Sequence, residues 1–154
     1  MIAQLLIGTA MLTVTIGIGA FAIILCAKLL DAALPQDTTP LGIVSHTTLV
    51  TLITTTLAIV LLFIMALWAL LFQALGVFQG FEPALYIAMI SATTLGYGDV
   101  TLPDEWRLLA GFIATDGFIL FGLDTAFLFE VMRKLGQADL VREGHVQALT
   151  KDEP

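Results

Sequence analysis

The chain has 154 residues, of which 58% are hydrophobic and only 12% charged, with a formal net charge of -7 at pH 7. A soluble domain of this size needs more charged side chains to cover its surface, so the composition predicts an integral membrane protein. The single cysteine, Cys26, excludes an intrachain disulfide or a thiolate metal cluster. His46 and His145 show no metal-ligand spacing, and no nucleophile is paired with a base. We therefore predict neither an enzyme nor a bound cofactor.

The first apolar run extends from Met1 to Ala27 without a charged residue. About 20 residues suffice for a helix to cross a bilayer, so we predict a transmembrane helix over residues 1–30. A signal peptide is disfavoured because the positively charged amino-terminal region it needs is missing. The run has no arginine that could sense voltage. Its small residues would let another helix approach closely: Gly8, Gly17, Gly19 and Ala20.

A loop and a second helix follow. Turn-forming residues predict a loop over 31–46, namely Pro35, Asp37, Pro40 and Gly42. The chain then lacks charge from Thr47 to Phe81, which predicts an outer helix over residues 49–75. We expect Trp68 near the membrane interface, where indole rings are enriched.

A short apolar segment comes next. Pro83 suits the first turn of a helix, and Glu82 suits the positive end of the helix dipole. The predicted helix, residues 83–93, has only about ten residues and is too short to span. It leads into the glycine-containing stretch 94–99. Irregular backbone at membrane depth occurs only where protein buries it or where it lines a water-filled path, so this segment indicates a pore.

The last apolar run predicts an inner helix over residues 107–132, followed by a polar tail over 135–154. It contains Asp116 and Asp124, although one charge at the centre of a spanning helix costs ~2.5–3.5 kcal/mol. One interpretation is a carboxylate that faces a water-filled vestibule, which we favour for Asp124. The other is a carboxyl group that is protonated or bonded to a neighbouring helix, which we favour for Asp116.

The pore hypothesis depends on the stretch Thr93-Thr94-Leu95-Gly96-Tyr97-Gly98-Asp99. Two glycines let the backbone adopt conformations in which successive carbonyl oxygens point the same way. A ring of such oxygens can replace the water shell of a monovalent cation. The stretch resembles the selectivity filter of potassium channels, whose usual form is Thr-Val-Gly-Tyr-Gly-Asp, with Leu95 where Val is commonest. The resemblance to two-helix bacterial potassium channels covers about residues 49–136.

This resemblance implies an all-α integral membrane fold with three transmembrane helices, a re-entrant pore helix and a filter loop. Four identical chains would surround one axis. It also implies roles for particular residues. The filter would bind K⁺ through Thr94, Leu95, Gly96, Tyr97 and Gly98, with K⁺ held at the first four. Filter support would come from Thr93, Asp99 and Tyr86, whose hydroxyl would bond Asp99. The inner helix would contribute cavity and gating residues, namely a hinge at Gly117 together with Asp116, Phe121, Asp124 and Thr125.

Charge placement predicts the topology. Five of the six Lys and Arg residues, all except Arg107, share one side if the tail is cytoplasmic. The amino terminus then lies outside the cell, in a multi-pass protein of the plasma or inner membrane. We expect the partners to be lipid, K⁺ and other copies of the chain. We expect neither nucleic acid nor a fused cytoplasmic ligand-binding domain.

The sequence therefore predicts a homotetrameric, potassium-selective channel with passive conduction. Two alternatives stay open. One is a weakly selective cation channel, because filter sequence alone does not determine filter geometry. The other is a non-conducting subunit that modulates other channels, which the intact filter sequence disfavours.

Overall fold

The computed structural model describes residues 1–33 and 43–151. Within these ranges the chain forms helices and no strands. The helices are α1 (Ile2–Ala33), α2 (Ile43–Ala74), α3 (Phe81–Ala92) and α4 (Leu108–Lys151). The predicted turn residues Pro35, Asp37, Pro40 and Gly42 lie outside the described residues.

Three of the helices are long and apolar enough to cross a membrane, over Ile2–Ala32, His46–Ala74 and Leu108–Gln137. The fourth, α3, has 12 residues and is too short to do so. The prediction of three spanning helices with a short apolar helix before the last is confirmed. The chain is a multi-pass membrane protein, and helices are the regular secondary structure of its described residues.

Helix bounds differ from the prediction at the polar ends. The inner helix was expected to end at residue 132, but α4 continues to Lys151. The outer helix was expected from residue 49, but α2 begins at Ile43. Neither extension contains a proline, so nothing in the local sequence interrupts the backbone hydrogen bonds. The end of the apolar run marks where the membrane stops and does not by itself end the helix.

The main core lies where α3 is wedged between α2 and α4. Small and branched side chains of α3, including Ala84, Ala88 and Ile87, are buried against the two longer helices. Trp68 of α2 is fully buried in this core, and its indole N–H has a buried acceptor on α4, described below. Its depth near the membrane interface stays a prediction.

The first helix lies alongside α4 and runs in the same direction. Gly8 faces Phe112, where an added Cβ would meet the ring at 2.4 Å, and Gly19 faces Leu120 at 2.5 Å. Farther along, Lys134 Nζ donates to Asp31 Oδ1 at 2.7 Å. The predicted close approach is confirmed for Gly8 and Gly19, whereas Gly17 has nothing within 4 Å.

Candidate functional site

The short helix α3 carries the candidate site at its carboxyl end. It begins at Phe81, after Gly80, and ends at Ala92. Thr93 caps the end, because its N–H donates to Met89 O at 3.0 Å and its Oγ1 donates to the same oxygen at 2.8 Å. The helix therefore ends in an ordered turn, and residue 94 follows directly after it.

The stretch after the helix is anchored by three backbone hydrogen bonds. Thr94 N–H donates to Ser91 O at 3.0 Å, and the N–H groups of Leu95 and Gly96 donate to Ile90 O at 3.0 and 3.1 Å. Three successive N–H groups thus point back toward α3.

Backbone handedness alternates along the same stretch. Positive φ angles occur at Thr94 (58°), Gly96 (50°) and Gly98 (78°), while Leu95 and Tyr97 between them have none. Alternating right- and left-handed residues place successive N–H groups on one side of the chain. We therefore expect the carbonyl oxygens of Thr94–Gly98 to form a row along the other side, as in a filter with glycines at alternate positions.

Thr94 is a feature that the sequence did not reveal. A β-branched residue rarely has a positive φ, and such strain costs of order 1–3 kcal/mol. The bonds that anchor Thr94, Leu95 and Gly96 to α3 hold this conformation. Strain of this kind clusters at functional sites.

The anchored stretch is open to its surroundings on the single chain. Every residue from Thr93 to Asp99 is exposed, including Leu95 at 54% and Tyr97 at 70%. Beside it lies an open cavity of about 300 Å³, lined in part by Ile90, Gly96 and Gly98. The exposed leucine and tyrosine form a surface that another protein chain can cover.

A side-chain hydrogen bond ties the far end of the stretch to α3. Tyr86 Oη donates to Asp99 Oδ2 at 2.7 Å, which is the pair that the resemblance implied. This hydrogen bond lowers the pKa of Asp99 below its usual range, with help from backbone N–H groups, and it raises the pKa of Tyr86. The directions of both pKa shifts mean that the hydrogen bond stabilises the charged carboxylate next to the neutral phenol.

We expect Tyr86→Phe to make the site more sensitive to acid. The lowered pKa of Asp99 means that its stabilising charge is present above the ordinary pKa and is lost as pH falls through the folded pKa. Without the Tyr86 hydroxyl the pKa of Asp99 rises, so acid inhibition of ion flux should set in at a higher pH. The measurement is flux against pH for the reconstituted protein.

A matched control for this prediction is Tyr86→Phe in an Asp99→Asn background. There the carboxylate is absent, so removal of the hydroxyl should cause no further shift in the pH profile. An equal shift in both backgrounds would show that the Tyr86–Asp99 bond does not cause it.

Gln4, which no sequence motif singled out, holds the turn that follows the site. Its Nε2 donates to Glu105 O, and its Oε1 accepts from Leu108 N–H at 3.2 Å. Leu108 is the first residue of α4, so this side chain satisfies one of the N–H groups that a helix start leaves free. The signal in the sequence is an amide side chain in an otherwise apolar run.

The inner-helix residues separate into two groups. Gly117 touches the end of α3, because an added Cβ would lie 2.2 Å from Ala92 O. Asp116 is fully buried and accepts a hydrogen bond from Trp68 Nε1 at 2.8 Å. The structure thus places Asp116 in contact with a neighbouring helix, and α4 passes through Gly117 without a break.

The other predicted cavity residues lie toward the second half of α4. Phe121 and Thr125 are exposed on the single chain, and Asp124 is half-buried. Asp124 lies close enough to the Cys26 thiol of α1 for the two to interact electrostatically. None of these three side chains contacts the 94–98 stretch through a hydrogen bond within the described residues.

Comparison with protein families identifies the class of protein. The sequence model of a family described as "Ion channel" matches residues 55–134, just over half of the chain. The chain belongs to this ion-channel family, whose pore is of the two-transmembrane, potassium-channel type. The match includes α3, the 94–98 stretch and most of α2, whereas α1 lies outside it. Comparison with curated proteins and with solved structures gives no match.

Proposed function

We propose that this ion channel is selective for potassium and conducts K⁺ passively down its electrochemical gradient. The observation that carries the proposal is the alternation of φ from Thr94 to Gly98, with the first N–H groups held toward α3. A row of carbonyl oxygens on one side of the backbone offers an ion a set of ligands that can replace its water shell. The ion-binding residues are Thr94, Leu95, Gly96, Tyr97 and Gly98, with a hydroxyl from Thr94.

The proposal includes an assembly of four identical chains. One row of oxygens cannot surround an ion, so several copies must present their rows to a common axis, and closed symmetry is usual among homo-oligomers. The exposure of Leu95 and Tyr97 supports this assembly, since neighbouring chains would cover them. The carboxyl ends of four α3 helices would then point their negative dipole ends toward the axis below Thr94.

The membrane orientation is also a proposal. Arg133 and Lys134 lie near one end of the spanning part of α4, and Arg107 precedes the other end. The positive-inside rule favours the end with more basic residues as cytoplasmic. Because α1 and α4 run in the same direction, this orientation places the amino terminus outside the cell.

Asp124 is proposed to act at the inner approach to the filter, together with Phe121 and Thr125. Four half-buried carboxylates at one depth would attract K⁺ entering from the cytoplasm and hold divalent or polyamine blockers. We expect Asp124→Asn to lower single-channel conductance and to weaken block by internal Mg²⁺, with potassium over sodium selectivity unchanged. Current recordings with and without internal Mg²⁺ measure all three.

The control for Asp124→Asn is Glu130→Gln, farther along the same helix, where the carboxylate is paired with Arg133 at 2.7 Å. This paired charge should contribute little to conductance or block. If Asp124→Asn leaves both quantities unchanged and lowers tetramer stability instead, the carboxylate is a packing group near Cys26 and the vestibule interpretation is wrong.

Ion flux from liposomes containing only the purified protein tests the proposed function directly. A potassium gradient should drive flux that an equal sodium gradient does not. Equal flux of the two ions would instead support the weakly selective cation channel. An absence of flux from well-folded tetramers would support the modulatory subunit.

A further inference from the structure

Asp116 sits at the point where three helices meet. It is on α4, it has no exposed surface, and the same holds for Trp68 of α2 and Thr15 of α1. One carboxyl oxygen, Oδ2, accepts a hydrogen bond from Trp68 Nε1 at 2.8 Å. The other, Oδ1, is buried without a hydrogen-bond partner among the described residues.

Thr15 faces the same carboxyl group from α1. Its hydroxyl hydrogen is directed to its own helix, with Met11 O at 2.9 Å and Leu12 O at 3.0 Å. With its hydrogen directed there, the Thr15 hydroxyl oxygen can only accept a hydrogen bond, and an ionised Asp116 carboxyl group can also only accept. Two acceptors cannot bond each other, but a proton on Oδ1 would join them.

Among the residues that the structure describes, no cation is placed to balance a charge at Asp116. Among the described side chains, the Lys and Arg residues lie toward the ends of the spanning helices: Lys28, Arg107, Arg133 and Lys134. A buried, unpaired carboxylate is far more costly than a neutral carboxyl group with both oxygens bonded. The surroundings of Asp116 thus match the neutral form.

The position of Asp116 lets it affect how α4 packs against the end of α3. The next residue, Gly117, lies against the backbone of Ala92, with an added Cβ only 2.2 Å from Ala92 O. Ala92 ends α3, and Thr94 begins the filter two residues later. The hydrogen bond from Trp68 of α2 to Asp116 therefore restrains the rotation of α4 at the level where α4 supports the filter.

We propose that Asp116 is a neutral carboxylic acid that donates to Thr15 and accepts from Trp68, and that it is the positioning residue that holds α4 against the end of the pore helix. The second part rests on the proposed channel function, whereas the first does not. The proposed bond to Thr15 would also connect α1, which lies outside the family match, to the filter through α4.

Infrared spectroscopy of the purified full-length protein tests the protonation. The wild type should show a carbonyl absorption of a protonated carboxylic acid that Asp116→Asn removes and that the matched variant Asp124→Asn retains. If Asp116→Asn removes no such absorption, the proposal is overturned. This result does not depend on ion conduction, so it stands or falls separately from the proposed function.

Ion flux per tetramer tests the positioning role. Asn preserves one acceptor and one donor, so the conservative Asp116→Asn variant should retain flux within about twofold. Asp116→Leu leaves Trp68 without its acceptor and should reduce flux by about tenfold or more, the factor that a lost hydrogen bond to a buried group implies.

Misfolding of Asp116→Leu is addressed by a second variant, Asp116→Leu with Trp68→Phe. Replacing both partners by apolar groups removes the unsatisfied polar atoms and should restore much of the tetramer stability. A stable tetramer that still conducts poorly supports the positioning role. Recovery of flux together with stability would show that the contact is only structural and would overturn that role.

Discussion

Gly96→Ala is expected to abolish potassium selectivity or conduction. Gly96 has a φ of 50°, and an L-residue in this region costs about 1–2 kcal/mol because its Cβ crowds the following carbonyl oxygen. The simplest relief is a change of φ, which would rotate the adjoining carbonyl oxygens out of the row. Potassium flux should fall by at least about fivefold, since a change of about 1.4 kcal/mol is tenfold and the strain is about 1–2 kcal/mol.

Gly76→Ala is the matched control for backbone strain. Gly76 also has a positive φ, 70°, and like Gly96 it has nothing within 4 Å of an added Cβ. It lies in the turn after α2 and outside the 94–98 stretch. Its alanine variant should lose stability by a similar amount and keep its ion selectivity. Full potassium over sodium selectivity in Gly96→Ala would contradict the assignment of the filter.

Gly117→Ala should also have a large effect, and for a steric reason. The added Cβ would lie 2.2 Å from the oxygen, 2.7 Å from the carbonyl carbon and 2.8 Å from the Cα of Ala92. These are backbone atoms, so no side-chain rotation relieves the overlap and α4 must move away from α3. Overpacking of this kind typically costs ~1–3 kcal/mol. We expect lower tetramer stability and loss of flux.

The same helix supplies controls for Gly117→Ala. An added Cβ at Gly111 or Gly122 meets nothing within 4 Å, so their alanine variants should be stable in the single chain. Alanine also favours helix over glycine by about 1 kcal/mol. If Gly117→Ala were as well tolerated as these two, the close contact with Ala92 would not support the filter.

This contact gives a second explanation for the glycine at position 117, where the family resemblance implied a hinge. The helix is continuous through this residue, and the glycine is required there by close approach even without bending. A flexibility role predicts that a glycine moved one turn along α4 could substitute for it. The packing role predicts that it cannot.

The membrane character, the order of the four helices and the position of the pore segment could all be read from local sequence. Apolar runs indicate which segments lie in lipid, because charged side chains are costly there. The alternate glycines Gly96 and Gly98 report on backbone conformation, because only glycine adopts positive φ without strain. These signals come from the local sequence, so they can be interpreted without knowing which side chains pack together.

Only the tertiary structure decided the roles of Gln4, Trp68 and Asp116. Gln4 bonds a helix start that is 104 residues away in sequence, and Trp68 bonds Asp116 across 48 residues. Such partners depend on which helix faces meet and in what register, and near-uniform apolar helices such as α1 leave that choice open. The sequence by itself determined a membrane protein with a filter-like segment, whereas packing decided which polar groups hold that segment in place, because buried hydrogen bonds form only between side chains that the fold brings together.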